Sequence, residues 1–340
     1  MRVGILTLFH GNNNWGGDLQ GYALKAYIED NFKNTNVDLI KYRSGVNVIY
    51  KSKFEQMEQY GPSEVIKKIS ERIVKRKTPA DGLLKKRNEL FEQFQKCYLT
   101  NDHVYTDEEL SELAKEYDCL ICGSDQIWNP EVTGGIDRCY LLDFGKPKKR
   151  VAYASSIGSY KFSKEELKIY KTVLASFDDI SVREEYAAKA LQDVYEKKIK
   201  VVCDPTLLLT GDQWRKEFAE EIDRLEKKEE YILTYFVGGN IEEYWERIER
   251  IVCQIKLPVY NVQSHSKMYK NVNRIVHNIM PGELVAYIDK AAVVLTDSFH
   301  GTAFSINLHK NFVAVINRKN PVRVQNLLQE LGMTERTDDN

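Results

Sequence analysis

The sequence predicts an α/β protein of two consecutive Rossmann-like domains, each a doubly wound parallel sheet, with a ligand cleft between them. Short apolar runs alternate with amphipathic helical patterns along most of the 340 residues. Apolar strands separated by helices are typical of parallel sheets that are covered on both faces. The alternation stops over a charged stretch at 212–229 and then begins again. The length also suits two domains of about 150 residues each.

The predicted strands form two sets. The first set comprises residues 3–8, 37–42, 119–122, 150–155, 179–182 and 200–203. The second set comprises residues 231–237, 257–262, 274–277, 292–296 and 312–316. Residues 19–30, after the first strand, have apolar residues at helical spacing and are predicted as a helix. We therefore expect domains at 1–210 and 211–340, with a helical insertion at about 52–100 in the first.

The composition excludes several classes of protein. Hydrophobic residues make up 43% and charged residues 29% of the chain, which indicates a folded globular protein rather than a disordered or fibrous one. A net charge of −1 does not favour nucleic acid as a partner. The apolar runs are too short to span a bilayer and the N-terminus resembles a strand rather than a signal peptide. We expect a cytoplasmic protein.

The cysteines and short motifs do not indicate a metal or an organic cofactor. Cys119, Cys122 and Cys203 lie in apolar runs, which predicts buried thiols in a reducing compartment. The C-x2-C spacing of the first two lacks a second ligand pair at zinc-site spacing. The sequence contains no GxGxxG, phosphate-loop, HExxH or GxSxG motif.

Residues 63–99 are predicted as two basic amphipathic helices. From Glu64 to Lys96 the chain has ten Lys or Arg and five Asp or Glu residues. Two interpretations are open. The segment is either a solvated helical insertion packed on the first domain, or a surface for peripheral contact with anionic lipid at the inner membrane face.

Polar residues gather where predicted strands end, which is where parallel sheets bind ligands. After the first strand, Asn14, Gly16, Gly17 and Gln20 precede or begin a helix. Glycines allow close backbone approach, and the helix N-terminus offers free N–H groups to an anion or a sugar hydroxyl. The alternative is an ordinary Gly- and Asn-rich turn.

The strand at 119–122 runs into GSDQIWN, which contains Ser124, Asp125, Gln126, Trp128 and Asn129. Polar groups for hydroxyls beside an aromatic ring for the C–H face are typical of a carbohydrate site. In the alternative interpretation, Ser124 and Asp125 only cap the next turn and Trp128 belongs to the core.

Two ionisable residues also follow strand ends. Arg183 comes after 179–182 and is suited to a phosphate or carboxylate, unless it only pairs with Glu184 or Glu185. His300 follows 292–296, with Gly301 behind it and Thr302 available to cap the helix. At neutral pH a histidine there can donate or accept a proton, although a structural role is the alternative.

The chain resembles the polysaccharide pyruvyl transferase family in NNNWGGDLQGYAL, GSDQIWN, SVRE, CDPTLLL and DSFHGTAFSI, in that order. The likeness runs from about residue 3 to Arg336. It implies a two-domain, glycosyltransferase-B-like enzyme without metal or cofactor. Such an enzyme moves the enolpyruvyl unit of phosphoenolpyruvate onto hydroxyls of an exopolysaccharide precursor, free or lipid-linked, and forms a pyruvate ketal.

Carried over residue by residue, the resemblance implies that Arg183 and His300 are catalytic. Many members have an arginine two residues before the histidine, where this chain has Ser298. Arg318 or Arg323 would then replace that cation. The donor-binding set is Arg183, Ser298, Gly301, Thr302, Arg318 and Arg323. The acceptor-binding set is Asn14, Gly16, Gly17, Gln20, Ser124, Asp125, Gln126, Trp128 and Asn129.

Two other functions stay open at this stage. The same architecture serves glycosyltransferases that use nucleotide sugars, and a fold does not fix a function. Glu283 is the carboxylate that would then contact a ribose. The other alternative is a non-catalytic glycan-binding relative, which Ser298 in place of an arginine would favour.

Overall fold

Two parallel β-sheets, one in each half of the chain, form the frame of the protein. The computed structural model describes residues 1–11, 13–42, 48–49, 82–100, 103–225, 229–238, 241–263, 269–317 and 321–338. The strands of the first half are β1 (Arg2–Leu6), β2 (Asn36–Leu39), β3 (Val48–Ile49), β4 (Cys119–Cys122), β5 (Ile136–Asp137), β6 (Arg150–Ser155), β7 (Asp179–Val182) and β8 (Lys200–Val201). The strands of the second half are β9 (Ile232–Tyr235), β10 (Val259–Val262), β11 (Arg274–Val276), β12 (Val293–Thr296) and β13 (Asn311–Ala314).

The order of strands is that of two doubly wound sheets. The first sheet runs β2-β1-β4-β6-β7-β8 and the second runs β11-β10-β9-β12-β13, with every pair parallel. In each sheet the chain starts in the interior and moves outward in both directions. The predicted α/β class and both strand sets are therefore confirmed. The sequence did not predict the short antiparallel pair of β3 and β5.

Helices connect the strands. The α-helices are α1 (Trp15–Asn31), α2 (Gly82–Phe94), α3 (Asp107–Leu113), α4 (Pro130–Thr133), α5 (Lys164–Leu174), α6 (Glu185–Gln192), α7 (Gly211–Glu217), α8 (Ala219–Arg224), α9 (Ile241–Ile255), α10 (Pro281–Lys290), α11 (Phe299–Asn307) and α12 (Val322–Glu330). A π-helical turn, Gln95–Leu99, extends α2. Within the described residues, no helix has the length and apolar character that crossing a bilayer requires.

Side-chain caps fix where the two helices beside the cleft begin. The Asn14 side chain accepts a hydrogen bond from the backbone N–H of Gly16 at 3.0 Å and starts α1. The Ser298 hydroxyl accepts one from the N–H of Gly301 at 3.2 Å and starts α11. Because the cap replaces a missing backbone partner, each helix begins directly after its strand loop.

The two halves share one apolar core across their junction. The indole N–H of Trp15 donates to the carbonyl of Ile279 at 2.9 Å. The Tyr22 ring packs against Trp214 and Phe218 of the second half, with ring centroids 5.8 and 5.9 Å apart. This contact fixes α1 against the second sheet. The predicted boundary at 210–211 falls between the sheets and stays a prediction.

The segment that joins the sheets is also held. The Asn307 side chain, at the end of α11, donates to the carbonyls of Thr206 and Leu209 at 2.9 and 2.7 Å. Thr206 lies in a short 3₁₀ turn, Pro205–Leu207. The connection between the halves is therefore hydrogen-bonded to the helix that carries His300.

The predictions for the cysteines were correct only in part. Cys122 is buried and its thiol lies 2.7 Å from the carbonyl of Tyr140, but Cys119 is half-buried. Cys203 is exposed, so the prediction of a buried thiol there was wrong. It lies beyond the last residue of β8, where the apolar run leaves the sheet. Within the described ranges, no group of three His, Cys, Asp or Glu residues is arranged to hold a metal.

The basic segment at 64–96 can be assessed only from residue 82, because 64–81 lie outside the described residues. Lys85 and Lys86 are exposed on α2. Arg87 is buried instead, with its guanidinium carbon 3.9 Å from the centre of the Trp15 ring. One of the basic residues therefore serves internal packing. Peripheral membrane contact through this segment stays a prediction.

Candidate functional site

A pocket of about 170 Å³ lies between the carboxyl ends of the two sheets. Its lining residues come from loops after β1, β4, β9 and β12, and from the start of α12. They are Leu8, Asn14, Asp125, Gln126, Val132, Val237, Ser298, Phe299, His300 and Arg323. The predicted cleft between the two sheets is confirmed, and five of its lining residues belong to the predicted donor and acceptor sets, while a sixth is His300 of the predicted catalytic pair.

Two guanidinium groups lie over one aromatic ring, Phe299, which this pocket shares with an adjoining pocket of about 90 Å³. Arg323 lines both pockets, whereas Arg183 lines only the adjoining one. The guanidinium carbon of Arg183 is 4.5 Å from the centre of the Phe299 ring, and that of Arg323 is 5.1 Å from it. Arg183 comes from the first domain, whereas Phe299 and Arg323 come from the second. A cation over the face of a desolvated ring is worth up to about 2 kcal/mol. The ring therefore helps to hold two positive charges close together.

Arg183 is almost entirely paired with carboxylates. Its Nη1 donates to Asp204 at 2.6 Å, its Nε donates to Glu184 at 3.3 Å, and its Nη2 lies 3.9 Å from Asp125. Burial alone would lower the pKa of Arg183, but these carboxylates outweigh burial and raise it. Nη2 has no hydrogen-bond partner among the described residues. One N–H group of this charged guanidinium therefore has no hydrogen-bond acceptor among the described residues.

Asp204 is the centre of this cluster. One carboxylate oxygen accepts from the backbone N–H and hydroxyl of Thr206, at 3.0 and 2.8 Å. The other accepts from Arg183 and from the Ser124 hydroxyl at 3.1 Å, and lies 3.8 Å from Nε2 of His300. Burial would raise the pKa of Asp204, but His300, Arg183 and the Thr206 N–H lower it well below its usual range. The carboxylate therefore stays ionised.

His300 reaches the pocket from the first turn of α11. Its side chain is only 6% exposed, and Nε2 has no hydrogen-bond partner in the part of the chain that the structure describes. The ring fits closely against Gly16 of α1, where an added Cβ would overlap Nδ1 and Cγ. Gly16 is therefore required for the two domains to approach each other at the histidine.

Arg323 is the less compensated cation. Its Nε is buried and has no hydrogen-bond partner among the described residues. Burial, helped by the nearby charge of Arg183, lowers the pKa of Arg323 to about 10. The guanidinium is still charged at neutral pH. Arg318, the other arginine predicted to replace the family's cation, lies outside the described residues.

The wall opposite is polar and comes from the loop after β4. Asp125 has a left-handed backbone, with φ of 74°, which Asp tolerates better than most residues. Its carboxylate accepts from the backbone N–H of Gln126 at 2.9 Å. The side-chain amide oxygen of Gln126 accepts a hydrogen bond from the side-chain amide of Asn129 at 2.9 Å. Asp125 and Gln126 line the pocket, while Asn129 supports them and caps α4.

Several predicted acceptor residues do not reach the pocket. Trp128 is 1% exposed and packs in the core, where its indole N–H donates to Tyr140 at 3.2 Å. The prediction of a sugar-stacking ring was therefore wrong, and the core alternative is correct. Gln20 is fully buried because its amide donates to the Thr7 hydroxyl and the Gly17 carbonyl. Neither Gln20 nor Gly17 lines the pocket.

Other predicted residues have structural hydrogen bonds. Ser124 is buried and donates to Asp204 rather than facing the pocket. Ser298, not Thr302, caps α11, and the Thr302 hydroxyl donates back to the Ser298 carbonyl at 3.0 Å. The N–H of Gly301 is used by that cap. Of these, Ser298 alone lines the pocket. Glu283, the candidate ribose contact, accepts from the N–H of Met280 and caps α10.

The sequence reasoning missed three residues of the site: Asp204, Phe299 and Asp297. All three stand in the quoted motifs but received no role. Asp297 accepts hydrogen bonds from the N–H groups of Val237 and Gly238 at 2.7 and 3.0 Å, which holds the loop at the pocket mouth. Burial raises the pKa of Asp297 to about 6. Both aspartates follow strand ends, which was the available signal.

Two solved structures share this architecture. A UDP-N-acetylglucosamine 2-epimerase from Methanocaldococcus jannaschii has a TM-score of 0.55 and 12% identity, covering 99% of this chain and 88% of its own. A protein described as the same epimerase from Listeria monocytogenes has a TM-score of 0.54 and 10% identity, covering 99% and 91%. At such identities the likeness shows the fold alone. No curated protein matches the sequence closely enough to be counted as a relative.

Two parallel sheets with a pocket between their carboxyl ends define a two-domain protein of the glycosyltransferase-B-like class. Within that class the sequence identifies the family. The model of the polysaccharide pyruvyl transferase family matches residues 14–320, nearly the whole chain. The chain belongs to the polysaccharide pyruvyl transferase family.

Proposed function

We propose that the protein transfers the enolpyruvyl unit of phosphoenolpyruvate onto two hydroxyls of a sugar in a surface polysaccharide precursor, forming a pyruvate ketal. The observation that carries this proposal is the pair of guanidinium groups over Phe299, beside His300. Nη2 of Arg183 and Nε of Arg323 are buried and have no hydrogen-bond partner among the described residues. Buried charged donors without partners are costly, so an anionic ligand would satisfy them.

Phosphoenolpyruvate suits this arrangement because it carries two anionic groups on adjacent atoms. Guanidinium groups bind phosphate and carboxylate oxygens through charge-assisted hydrogen bonds. Arg183 and Arg323 both line the pocket that adjoins the one at His300, and they come from different halves of the chain, so one anionic ligand that reaches both would contact both domains. The start of α11 adds the positive end of a helix dipole.

In the proposed reaction His300 handles the proton. The methylene carbon of phosphoenolpyruvate gains a proton and becomes a methyl group, which leaves an oxocarbenium centre at C2. One sugar hydroxyl adds to C2, the C2–O bond to phosphate breaks, and a second hydroxyl closes the ketal. Of the two hydroxyl protons released, one balances the proton taken up at carbon and the other leaves with phosphate. A positioned acid–base residue contributes about 10²–10⁴ in rate.

The acceptor sugar is proposed to bind on the first-domain wall. Asp125, Gln126 and Asn14 line that wall and carry acceptor and donor atoms for hydroxyls. Apolar contact comes from Val132 and Val237, which are exposed at the pocket. They take the place that the sequence had given to Trp128.

Calorimetric titration of phosphoenolpyruvate into the wild type and Arg323→Gln tests the donor. Loss of a charged hydrogen-bond donor costs about 1.5–3 kcal/mol, so the affinity should fall roughly 10- to 150-fold. Arg215→Gln is the matched control, because Arg215 lies in the same domain but pairs with Asp289 and Asp212 outside the pocket. The Arg215→Gln variant should bind phosphoenolpyruvate with the affinity of the wild type.

No binding of phosphoenolpyruvate to the wild type, with stabilisation by uridine diphosphate instead, would overturn the proposal in favour of the nucleotide-sugar alternative. Binding without phosphate release across a panel of glycan precursors would favour a glycan-binding relative. His300→Ala should bind phosphoenolpyruvate but release phosphate at least 10²-fold more slowly than the wild type.

A further inference from the structure

The Asp204 carboxylate lies beside His300, and the proposed reaction gives it no role. Its carboxylate is fully buried and is held in place by four hydrogen bonds, two from Thr206 and one each from Ser124 and Arg183. The same oxygen that accepts from Arg183 lies 3.8 Å from Nε2 of His300. This separation is longer than a hydrogen bond, and such contacts often shorten when substrate binds.

The two nitrogens of the His300 ring have different surroundings. Nε2 is buried and faces an ionised carboxylate, so a proton on this nitrogen is attracted to Asp204. Nδ1 lies on the edge of the ring that packs against Gly16, where an added Cβ would overlap it. A neutral imidazole has one protonated and one free nitrogen, and the partner of the first decides which nitrogen is free.

We propose that Asp204 is a positioning residue that keeps the His300 proton on Nε2, so that Nδ1 is the atom that transfers protons in the pocket. Gly16 then has a second role, because a side chain at this position would displace the Nδ1 edge of the ring. The proton-transfer role of His300 rests on the proposed function. The arrangement of Asp204 and His300 does not depend on which donor binds.

The other charges near the ring support this assignment. The titratable and charged groups around His300 and Asp204 are Arg183, Arg323, Asp125 and Glu184. Arg183 is already paired with Asp204 and Glu184, so it does not take the carboxylate away from His300. The cations also keep Asp204 ionised at neutral pH. A permanent negative charge therefore faces Nε2.

Nitrogen-15 NMR of the histidine side chains tests the proposal without any substrate. At alkaline pH, where the ring is neutral, the wild-type His300 signal should show the proton on Nε2. Asp204→Asn should redistribute the proton between the two nitrogens. Ser124→Ala is the control, because it removes a hydrogen bond to the same oxygen but keeps the charge, and should retain the wild-type pattern.

A wild-type spectrum with the proton on Nδ1 would overturn the proposal, whether or not Asp204→Asn folds. An unchanged spectrum in a folded Asp204→Asn protein would do the same. Because these readouts need no donor, their failure is distinct from a failed phosphoenolpyruvate titration.

The role of Gly16 has its own test. Gly16→Ala should shift the His300 ring signals and lower phosphate release about 10²-fold, since an error of about 1 Å in a reacting group has that effect. Gly21→Ala is the matched control in the same helix, where an added Cβ would crowd Leu39 at 2.7 Å instead of the histidine. It should lose stability but keep the wild-type ring signals. Equal effects of both variants on His300 would contradict the role.

Discussion

Charges on the two sides of the pocket have opposite surroundings. On the first-domain side, Arg183 and Asp204 are buried and paired with each other, and their remaining hydrogen bonds go to Glu184, Thr206 and Ser124. On the second-domain side, Arg323 and Asp297 have no oppositely charged group within ion-pair distance among the described residues. Burial lowers the pKa of Arg323 and raises that of Asp297, and both shifts favour the neutral form of the side chain. Apart from Nη2 of Arg183, the first side is preassembled, whereas the second side leaves the charge of Arg323 for a ligand.

The largest expected difference concerns the free energy of unfolding. Arg183→Gln leaves Asp204 and Glu184 buried without their cation and should lower it by about 3–5 kcal/mol. Arg323→Gln removes a charge that has no such partner, so it should leave the free energy of unfolding unchanged or raise it. Urea denaturation measures both. Equal losses in the two variants would show that the two sides do not differ as described.

The next effect depends on pH and concerns Asp297. Its folded-state pKa of about 6 lies above that of the unfolded chain, so the folded protein holds a proton that the unfolded chain releases. The resulting stability is present below about pH 4 and is lost as pH rises to about 6, by up to about 3 kcal/mol. Asp297→Asn should remove this loss, as measured by urea denaturation at pH 4, 5, 6 and 7.

The contribution of Asp204 to stability changes with pH in the opposite direction, so Asp204 is the comparison for that experiment. Its pKa is lowered, so its contribution is present above about pH 4 and is lost as the pH falls further. Asp204→Asn should therefore remove acid sensitivity below pH 4 and leave the change between pH 4 and 6 intact. The same pH profile for both variants would contradict the assignment of paired and unpaired carboxylates.

The smallest expected effect tests whether the Phe299 ring serves both sides. Phe299→Leu keeps an apolar side chain but removes the ring beneath two guanidinium groups. Affinity for phosphoenolpyruvate should fall about two- to thirtyfold, because a cation–π contact is worth about 0.5–2 kcal/mol. Phe312→Leu is the control, since that ring lies 5.9 Å from Arg336 and does not line the pocket. Equal affinities of both variants would exclude the shared role.

The sheets were predictable because most of their strands are largely apolar runs. A strand that is buried on both faces can be recognised from its own apolar residues, without knowing which strands lie beside it. The predicted strands at 119–122, 150–155 and 179–182 have the same bounds as the observed ones. The pair of β3 and β5 was not predictable, since strands of two residues have no pattern. The position of Asn14, Asp125 and His300 at one pocket followed from the rule that strand ends converge.

The errors within the site share a physical cause. Whether a polar side chain faces a pocket depends on which hydrogen-bond partner the fold places beside it. Ser124 is satisfied by Asp204, which is 80 positions away, and Gln20 by Thr7. Trp128 turns inward because the core places Tyr140 and Tyr170 around it. These partners come from separate strands, so local sequence does not reveal them.

The shared core at the junction limits how this protein can exchange parts with its relatives. α1 belongs to the first domain, yet Trp15 is hydrogen-bonded to Ile279 and Tyr22 packs on Trp214 and Phe218. A second domain taken from a relative would need matching residues at each of these positions. Recombination at the linker would otherwise create a cavity or a clash where the halves meet. Specificity in this protein is therefore expected to diverge through substitutions at the pocket rather than by exchange of whole domains.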